Sequence, residues 1–183
     1  AAVGMGAGTY NTAESIELAK ETEAAGAHGV MLVNPYYNKP GQEGLYAHFS
    51  TIAQQTGLPV MLYNIAPRSS INLETDTLMR LAEIKNIVAV KEASGNLNQI
   101  ADVCMRKPEG FRVYSGDDAL TLPILSVGGH GVVSVAAHLV GSRMKEMIDT
   151  FPTNPAAAAE LNKTVLPVVQ AVFSAPSPVP VKY

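Results

Sequence analysis

The 183-residue chain is 47% hydrophobic and 16% charged, enough apolar material for one sizeable core and too much for a disordered segment. A formal net charge of −3 gives it no general pull toward nucleic acid or anionic lipid. No apolar run approaches the ~18 residues of a membrane span, and a single cysteine, Cys104, excludes an intramolecular disulfide and fits a reducing compartment.

The chain opens on Ala1, with no initiator methionine and no charged leader ahead of an apolar stretch. No signal peptide is read, and a cytoplasmic location is expected. Six short apolar runs then recur: AAVG (1–4), GVMLV (29–33), PVMLY (59–63), IVAVK (87–91), RVYS (112–115) and GVVSV (131–135). None alternates with polar residues, which is how parallel strands covered on both faces read.

Helical periods fill the intervals. TAESIELAKETEAAG (12–26) predicts a helix with Thr12 as N-cap, Glu14 in its first turn and Gly26 at its close. QEGLYAHFSTIAQQTG (42–57) repeats the plan, and LETDTLMRLAEI (73–84), LNQIADVCMRK (97–107) and DALTLPILSVGG (118–129) follow. Cys104 lies in one of these patterns and reads as a small buried hydrophobe rather than a nucleophile. The chain is helical after residue 140, with AAAAELNKTVLPVVQAVF (156–173), and SAPSPVPVKY (174–183) reads as a connector.

Strands alternating with helices at this spacing predict an α/β fold. Two architectures compete, a (β/α)8 TIM barrel and an open doubly wound sheet. The glycines of GMGAG stand at 4, 6 and 8, the wrong spacing for the G-x-G-x-x-G dinucleotide fingerprint of an open sheet. Tyr63, Lys91 and Gly116 instead cluster just after strand ends, the face where a barrel builds its site. Six strands fall short of eight, so an incomplete barrel is expected, with strands 3 to 8 present and N-terminal strands and C-terminal helices missing. Residues 1–140 would form the partial barrel, and 141–183 the last barrel helix and the start of a C-terminal helical region.

Lys91 ends a buried strand. It is either a lysine reaching for solvent or a desolvated amine whose lowered pKa lets it attack a ketone and form a Schiff base. Tyr63 ends the preceding strand, and adjacent parallel strands would set its phenol beside that amine, about 5 Å away. Arg68, in a loop led by a proline, suits a substrate carboxylate. Two adjacent tyrosines, Tyr36 and Tyr37, stand in NPYYNKP (34–40), a composition common at interfaces. Asp117 and Asp118 are expected to cap the helix that begins there, because no further ligand stands at metal spacing. The glycines of GGHGVVSV would admit a small ligand close to the backbone, and His130 among them is expected to be structural.

The segments NPYYNKPGQEGLYAHF, LYNIAPRSS, VKEASGN, YSGDDALTLPILSVGGHGVVSV and PSPVPVK, in this order, resemble the dihydrodipicolinate synthase/N-acetylneuraminate lyase superfamily of class I aldolase-type barrels. The resemblance implies that Lys91 condenses with pyruvate to an imine and then an enamine, with no metal and no other cofactor. It implies that Tyr63 shuttles protons and that Tyr37 joins the proton relay of a neighbouring subunit across a tight dimer interface. Arg68 would hold the carboxylate of aspartate semialdehyde, and the backbone of Gly116 and Val133 would line the pyruvate pocket. The implied reaction joins pyruvate to L-aspartate 4-semialdehyde, giving 4-hydroxy-tetrahydrodipicolinate on the diaminopimelate route to lysine. The implied partners are these two small molecules and further copies of the chain, as a dimer of dimers.

Tyr36 and Glu14 match positions used by lysine-inhibited members, although GAGTYNTAE departs from their asparagine pattern. The family's Thr-Thr pair would precede Ala1. Another pyruvate aldolase, such as a 2-keto-3-deoxy sugar acid aldolase or N-acetylneuraminate lyase, and a non-catalytic partial barrel stay open as alternatives.

Overall fold

A computed structural model describes residues 2–183. The chain forms two compact units, Ala1–Val113 and Tyr114–Tyr183; the boundary expected at residue 140 falls inside the helix Ala137–Thr150.

The first unit runs β1 (Gly4–Gly6), α1 (Thr12–Ala24), β2 (Gly29–Val33), α2 (Gln42–Ala53), β3 (Val60–Asn64), α3 (Ala66–Ser69), α4 (Thr75–Ala82), β4 (Ile87–Glu92) and α5 (Leu97–Arg106). Its strands pair in parallel in chain order, with Val33 opposite Tyr63 and Tyr63 opposite Lys91. The period of two sends Val30 and Leu32 of β2, and Val60 and Leu62 of β3, to one buried face. There Leu45, Phe49 and Ile52 of α2, Leu78 and Leu81 of α4, and Ile100 and Val103 of α5 are fully buried as well. Burial of each such side chain stabilises the fold by roughly 1.5–3 kcal/mol. A register shift at Val60/Met61 leaves Val88 as the extra residue of β4, and it is exposed.

Three expectations change here. The first strand lies at Gly4–Gly6 rather than 1–4, because pairing reaches from Gly4 opposite Gly29 to Gly6 opposite Met31; Ala1 is outside the described residues. The cap of α1 is Asn11, whose side chain accepts from Glu14 N, while Thr12 bonds His48 Nδ1 through its hydroxyl at 2.8 Å. The proline-led segment after β3 is not a plain loop: α3 makes one helical turn closed by Ser70 at φ +62°. Gly26, as expected, ends α1 in the left-handed region at φ +80°.

The second unit contains β5 (Arg112–Ser115, which straddles the boundary), a 3₁₀ turn (Asp118–Leu120), α6 (Thr121–Ser126), β6 (Gly131–Val132), α7 (Ala137–Thr150), α8 (Pro155–Val172) and α9 (Val179–Lys182). Tyr114 pairs with Gly131 and Ser115 with Val132, in parallel. β6 stops short of the expected 135 because residues 134–136 bond Asp118 instead of a strand. Met144 of α7 packs with Val165, Val169 and Val172 of α8 in a core that includes Ala136. The tail expected to be a connector folds into the turn of α9.

His48 is 5% exposed, and burial lowers its pKa from 6.5 to about 4. A histidine whose folded-state value lies below its ordinary one adds stability that is complete above about pH 6.5. That stability is withdrawn as pH falls toward about 4. The unfolding free energy of the wild type relative to His48→Gln, from urea melts at stepped pH, should therefore fall by up to about 3 kcal/mol across this window. A difference independent of pH would mean that His48 has the same pKa in the folded and unfolded chain, and burial does not lower it.

Candidate active site

The site grows from the carboxyl ends of β3 and β4. Tyr63 and Lys91 are register partners, so the pleat turns both side chains to the same face of the sheet. Both are half-buried, and Lys91 Nζ stands 4.0 Å from the Tyr63 ring centroid. The structure thus brings the amine over the face of the Tyr63 ring. A ring face at this range attracts an ammonium group.

Burial raises the Tyr63 pKa, and the Arg68 guanidinium acts in the opposite direction. The phenol is thus neutral at ordinary pH, able to give and retake a proton, with a cation near enough to steady its anion. Arg68 itself is exposed, on α3. Its loop is pinned from behind by buried Ser69, whose hydroxyl donates to Ile65 O at 2.9 Å and Ile71 O at 3.0 Å.

The opposite face of the same strand ends carries residues that were not picked out from sequence. Asn64 and Glu92 are register partners, and Asn34 follows the last residue of β2; all three are 0% exposed. Asn34 Nδ2 donates to Asn64 Oδ1 (2.9 Å), and Asn64 Nδ2 donates to Asn72 Oδ1 (2.9 Å) and to Glu92 Oε1 (3.1 Å). Burial raises the Glu92 pKa against the hydrogen bonds from Ser94 and Asn64. Their signal was the repeat itself: VN, YN and KE each end a strand with a polar residue one position beyond the reactive face.

Tyr36 and Tyr37 sit elsewhere in the first unit. Tyr37 is 89% exposed and held at φ +74°, a conformation uncommon for a bulky residue. Tyr36 packs edge-on against Tyr10, the ring centroids 5.5 Å apart, and Asn38 Nδ2 donates to Tyr10 O. Glu14 is exposed and accepts from Thr9 Oγ1 at 2.8 Å. Cys104 is half-buried, not buried, and burial raises its pKa, which makes it a poor nucleophile.

In the second unit, Gly116 follows β5, and Val133 N donates to Ser115 O at 2.9 Å. Asp117 caps as expected, accepting from Ala119 N. Asp118 does not: it is buried and accepts from Ser134 Oγ, Val135 N and Ala136 N, clasping the segment after β6. His130 lies edge-on to Tyr114 at 5.2 Å. Among the described residues no group of three or more His, Cys, Asp or Glu is placed to hold a metal ion, and no helix is long and apolar enough to cross a membrane.

The chain is thus a run of parallel β/α units with a lysine beside a tyrosine at adjacent strand ends. The model of the dihydrodipicolinate synthetase family matches residues 1–183, and the chain belongs to that family. It is 53% identical over 178 residues to 4-hydroxy-tetrahydrodipicolinate synthase 1 of Halalkalibacterium halodurans, covering 97% of this chain and 60% of the relative. It is 54% identical over 179 residues to 4-hydroxy-tetrahydrodipicolinate synthase of Bacillus subtilis, covering 97% and 62%. The crystal structure of a dihydrodipicolinate synthase from Bacillus anthracis superposes with a TM-score of 0.96 at 48% identity, over 99% of this chain and 62% of that one. A lysine-bound synthase structure from Cyanidioschyzon merolae gives 0.97 at 46%, over 99% and 62%. The chain thus spans about 60% of the length of the relatives it matches.

Removing the cation near Tyr63 should move its phenol further up. In Arg68→Ala the Tyr63 ring, followed by 13Cζ-tyrosine NMR, is expected to titrate at higher pH than in the wild type, and Arg68→Lys should restore part of the difference. An unchanged titration would place the guanidinium too far away to act.

Proposed function

We propose that the protein that carries this chain condenses pyruvate with L-aspartate 4-semialdehyde to give 4-hydroxy-tetrahydrodipicolinate, as a lyase of the diaminopimelate route to lysine. The observation that carries this reading is the Tyr63–Lys91 pair, with Lys91 Nζ 4.0 Å from the ring centroid and Arg68 acting on the phenol. The names of the relatives support it. The βα order supports the further reading that residues 1–140 supply six consecutive units of a (β/α)8 barrel, with 141–183 its last helix and the start of a C-terminal helical region.

In this mechanism the neutral Lys91 amine attacks the pyruvate ketone and expels water, leaving an imine that serves as electron sink. Loss of a proton from the adjacent methyl gives the enamine, and its carbon attacks the aldehyde of the semialdehyde, which takes a proton through Tyr63. The semialdehyde's amino group then adds to the imine carbon, closes the ring and releases Lys91. Arg68 holds the acceptor's carboxylate as a charge-assisted pair. The electrons balance within the imine, so the sequence of steps calls for no further cofactor. Gly116 and Val133 enter through the resemblance, as residues whose backbone lines the pyruvate pocket.

Tyr37 belongs to the same reading as the residue offered to a neighbouring copy. A fully presented aromatic, fixed in a strained backbone conformation, suits an interface better than solvent. Tyr36 and Glu14 would contribute to a lysine-binding site where one is present.

Borohydride added with pyruvate to the full natural chain should leave a reduced pyruvyl group on Lys91, located by peptide mass spectrometry. Arg68→Ala should still form that adduct while losing aspartate-semialdehyde turnover by about a hundredfold, in line with losing a charged hydrogen bond of about 2–3 kcal/mol. An adduct without turnover in the wild type would point to another pyruvate aldolase. No adduct on folded protein would remove the imine mechanism.

A further inference from the structure

Behind the Tyr63–Lys91 pair, each strand end buries a polar side chain where an apolar one would be easier to accommodate. Glu92 is 0% exposed and adjoins Lys91 in the chain; Asn64 adjoins Tyr63. A carboxyl in this position is expensive to desolvate, and a well-packed apolar residue of similar volume is often as stable or more so. What the polar group adds is direction, because apolar contact tolerates sliding and a hydrogen bond does not.

The geometry points to Glu92, acting through Asn64, as a positioning residue that fixes Lys91 against Tyr63 and anchors the loop bearing Arg68; this rests on the imine reading above. The Glu92 carboxyl accepts from Asn64 Nδ2 at 3.1 and 3.3 Å and from Ser94 N at 3.0 Å. Asn64 Oδ1 in turn accepts from Asn34 Nδ2 at 2.9 Å and from Leu73 N at 3.0 Å. One amide therefore ties the ends of β2, β3 and β4 to the far side of the loop after β3, and Asn72 extends the tie to Gln99 of α5 at 2.7 Å. The alternation of a strand makes the coupling rigid: the peptide that aims Glu92 into this cluster aims Lys91 to the other face. Any slip that frees Glu92 also turns the amine off its approach to the ketone.

The test uses the full natural chain, with pyruvate and borohydride, and reads the rate of adduct formation at Lys91. Glu92→Leu keeps the volume and removes the direction. It should melt cooperatively, with a midpoint somewhat below wild type, because Asn64 Nδ2 keeps Asn72 Oδ1 while Ser94 N loses its acceptor. At saturating pyruvate its adduct formation should fall about tenfold or more, while the half-saturating pyruvate concentration moves less than about threefold. Glu92→Gln, which retains an acceptor for Asn64 and Ser94, should return the rate to within about threefold of wild type. Glu92→Met takes the place of the Leu variant if that one does not melt cooperatively. An apolar variant that folds and traps pyruvate at the wild-type rate overturns the positioning role, as does a loss that merely tracks the unfolded fraction. Wild-type protein that forms no adduct overturns the imine reading, and the positioning role with it.

Discussion

The register of β3 against β4 is the constraint on which the rest of the first unit depends. It sets Tyr63 opposite Lys91 and Asn64 opposite Glu92, and the pleat sends one pair to each face. A slip of one residue would bury the amine among the helices and turn Glu92 to the reactive face. The register is therefore specified from both sides at once. Val60, Leu62 and Val90 are sealed against the helices, and the Asn64–Glu92 hydrogen bonds fix the last step, where apolar packing ends.

Chemistry at the strand ends follows from what a parallel sheet leaves open there. Ladder hydrogen bonding stops, and the chain must turn into a helix with its N–H groups unpaired. Side chains meet that demand here. Asn64 Oδ1 takes Leu73 N, Glu92 takes Ser94 N, and Asn96 takes Gln99 N at the start of α5. A loop so tied can present an exposed guanidinium such as Arg68 at a fixed place, which a free loop could not do without losing side-chain and backbone entropy on binding.

Much of this was legible in the sequence, and the parts that were not share a physical cause. The runs 29–33, 59–63, 87–91 and 112–115 match observed strands to within a residue or so, because strands buried on both faces leave an unbroken apolar signal. The Tyr63–Lys91 pairing followed from chain order and strand ends alone. The cap at Asn11 was misplaced by one residue because Asn and Thr both serve as caps, and only the position of His48 shows why Thr12 is occupied elsewhere. The turn of α3 is too short for any periodicity to register. Asn64 and Glu92 escaped notice because a polar residue at a strand end reads as the beginning of a loop. Whether it is buried depends on a helix and a loop that arrive from elsewhere in the chain.

The second unit meets the same demand in the same way, which argues that the arrangement is a general solution and not an accident of one loop. Asp118 is 2% exposed and stands three residues beyond the end of β5, as Glu92 stands at the end of β4. It accepts from Val135 N and Ala136 N, as Glu92 accepts from Ser94 N. Asp118 gives its two oxygens to Val135 N, Ala136 N and the Ser134 hydroxyl, and Glu92 gives its two to Ser94 N and the Asn64 amide, where a neutral side chain of similar size would offer at most one oxygen. The acid that closes KE in one place and DD in the other is thus better understood by where its side chain goes than by its charge. Each holds a turn in one shape, and the turn in turn holds the residue beside it: Lys91 next to Glu92, and Val133, whose N–H is fixed on Ser115 O, immediately before the segment that Asp118 clasps.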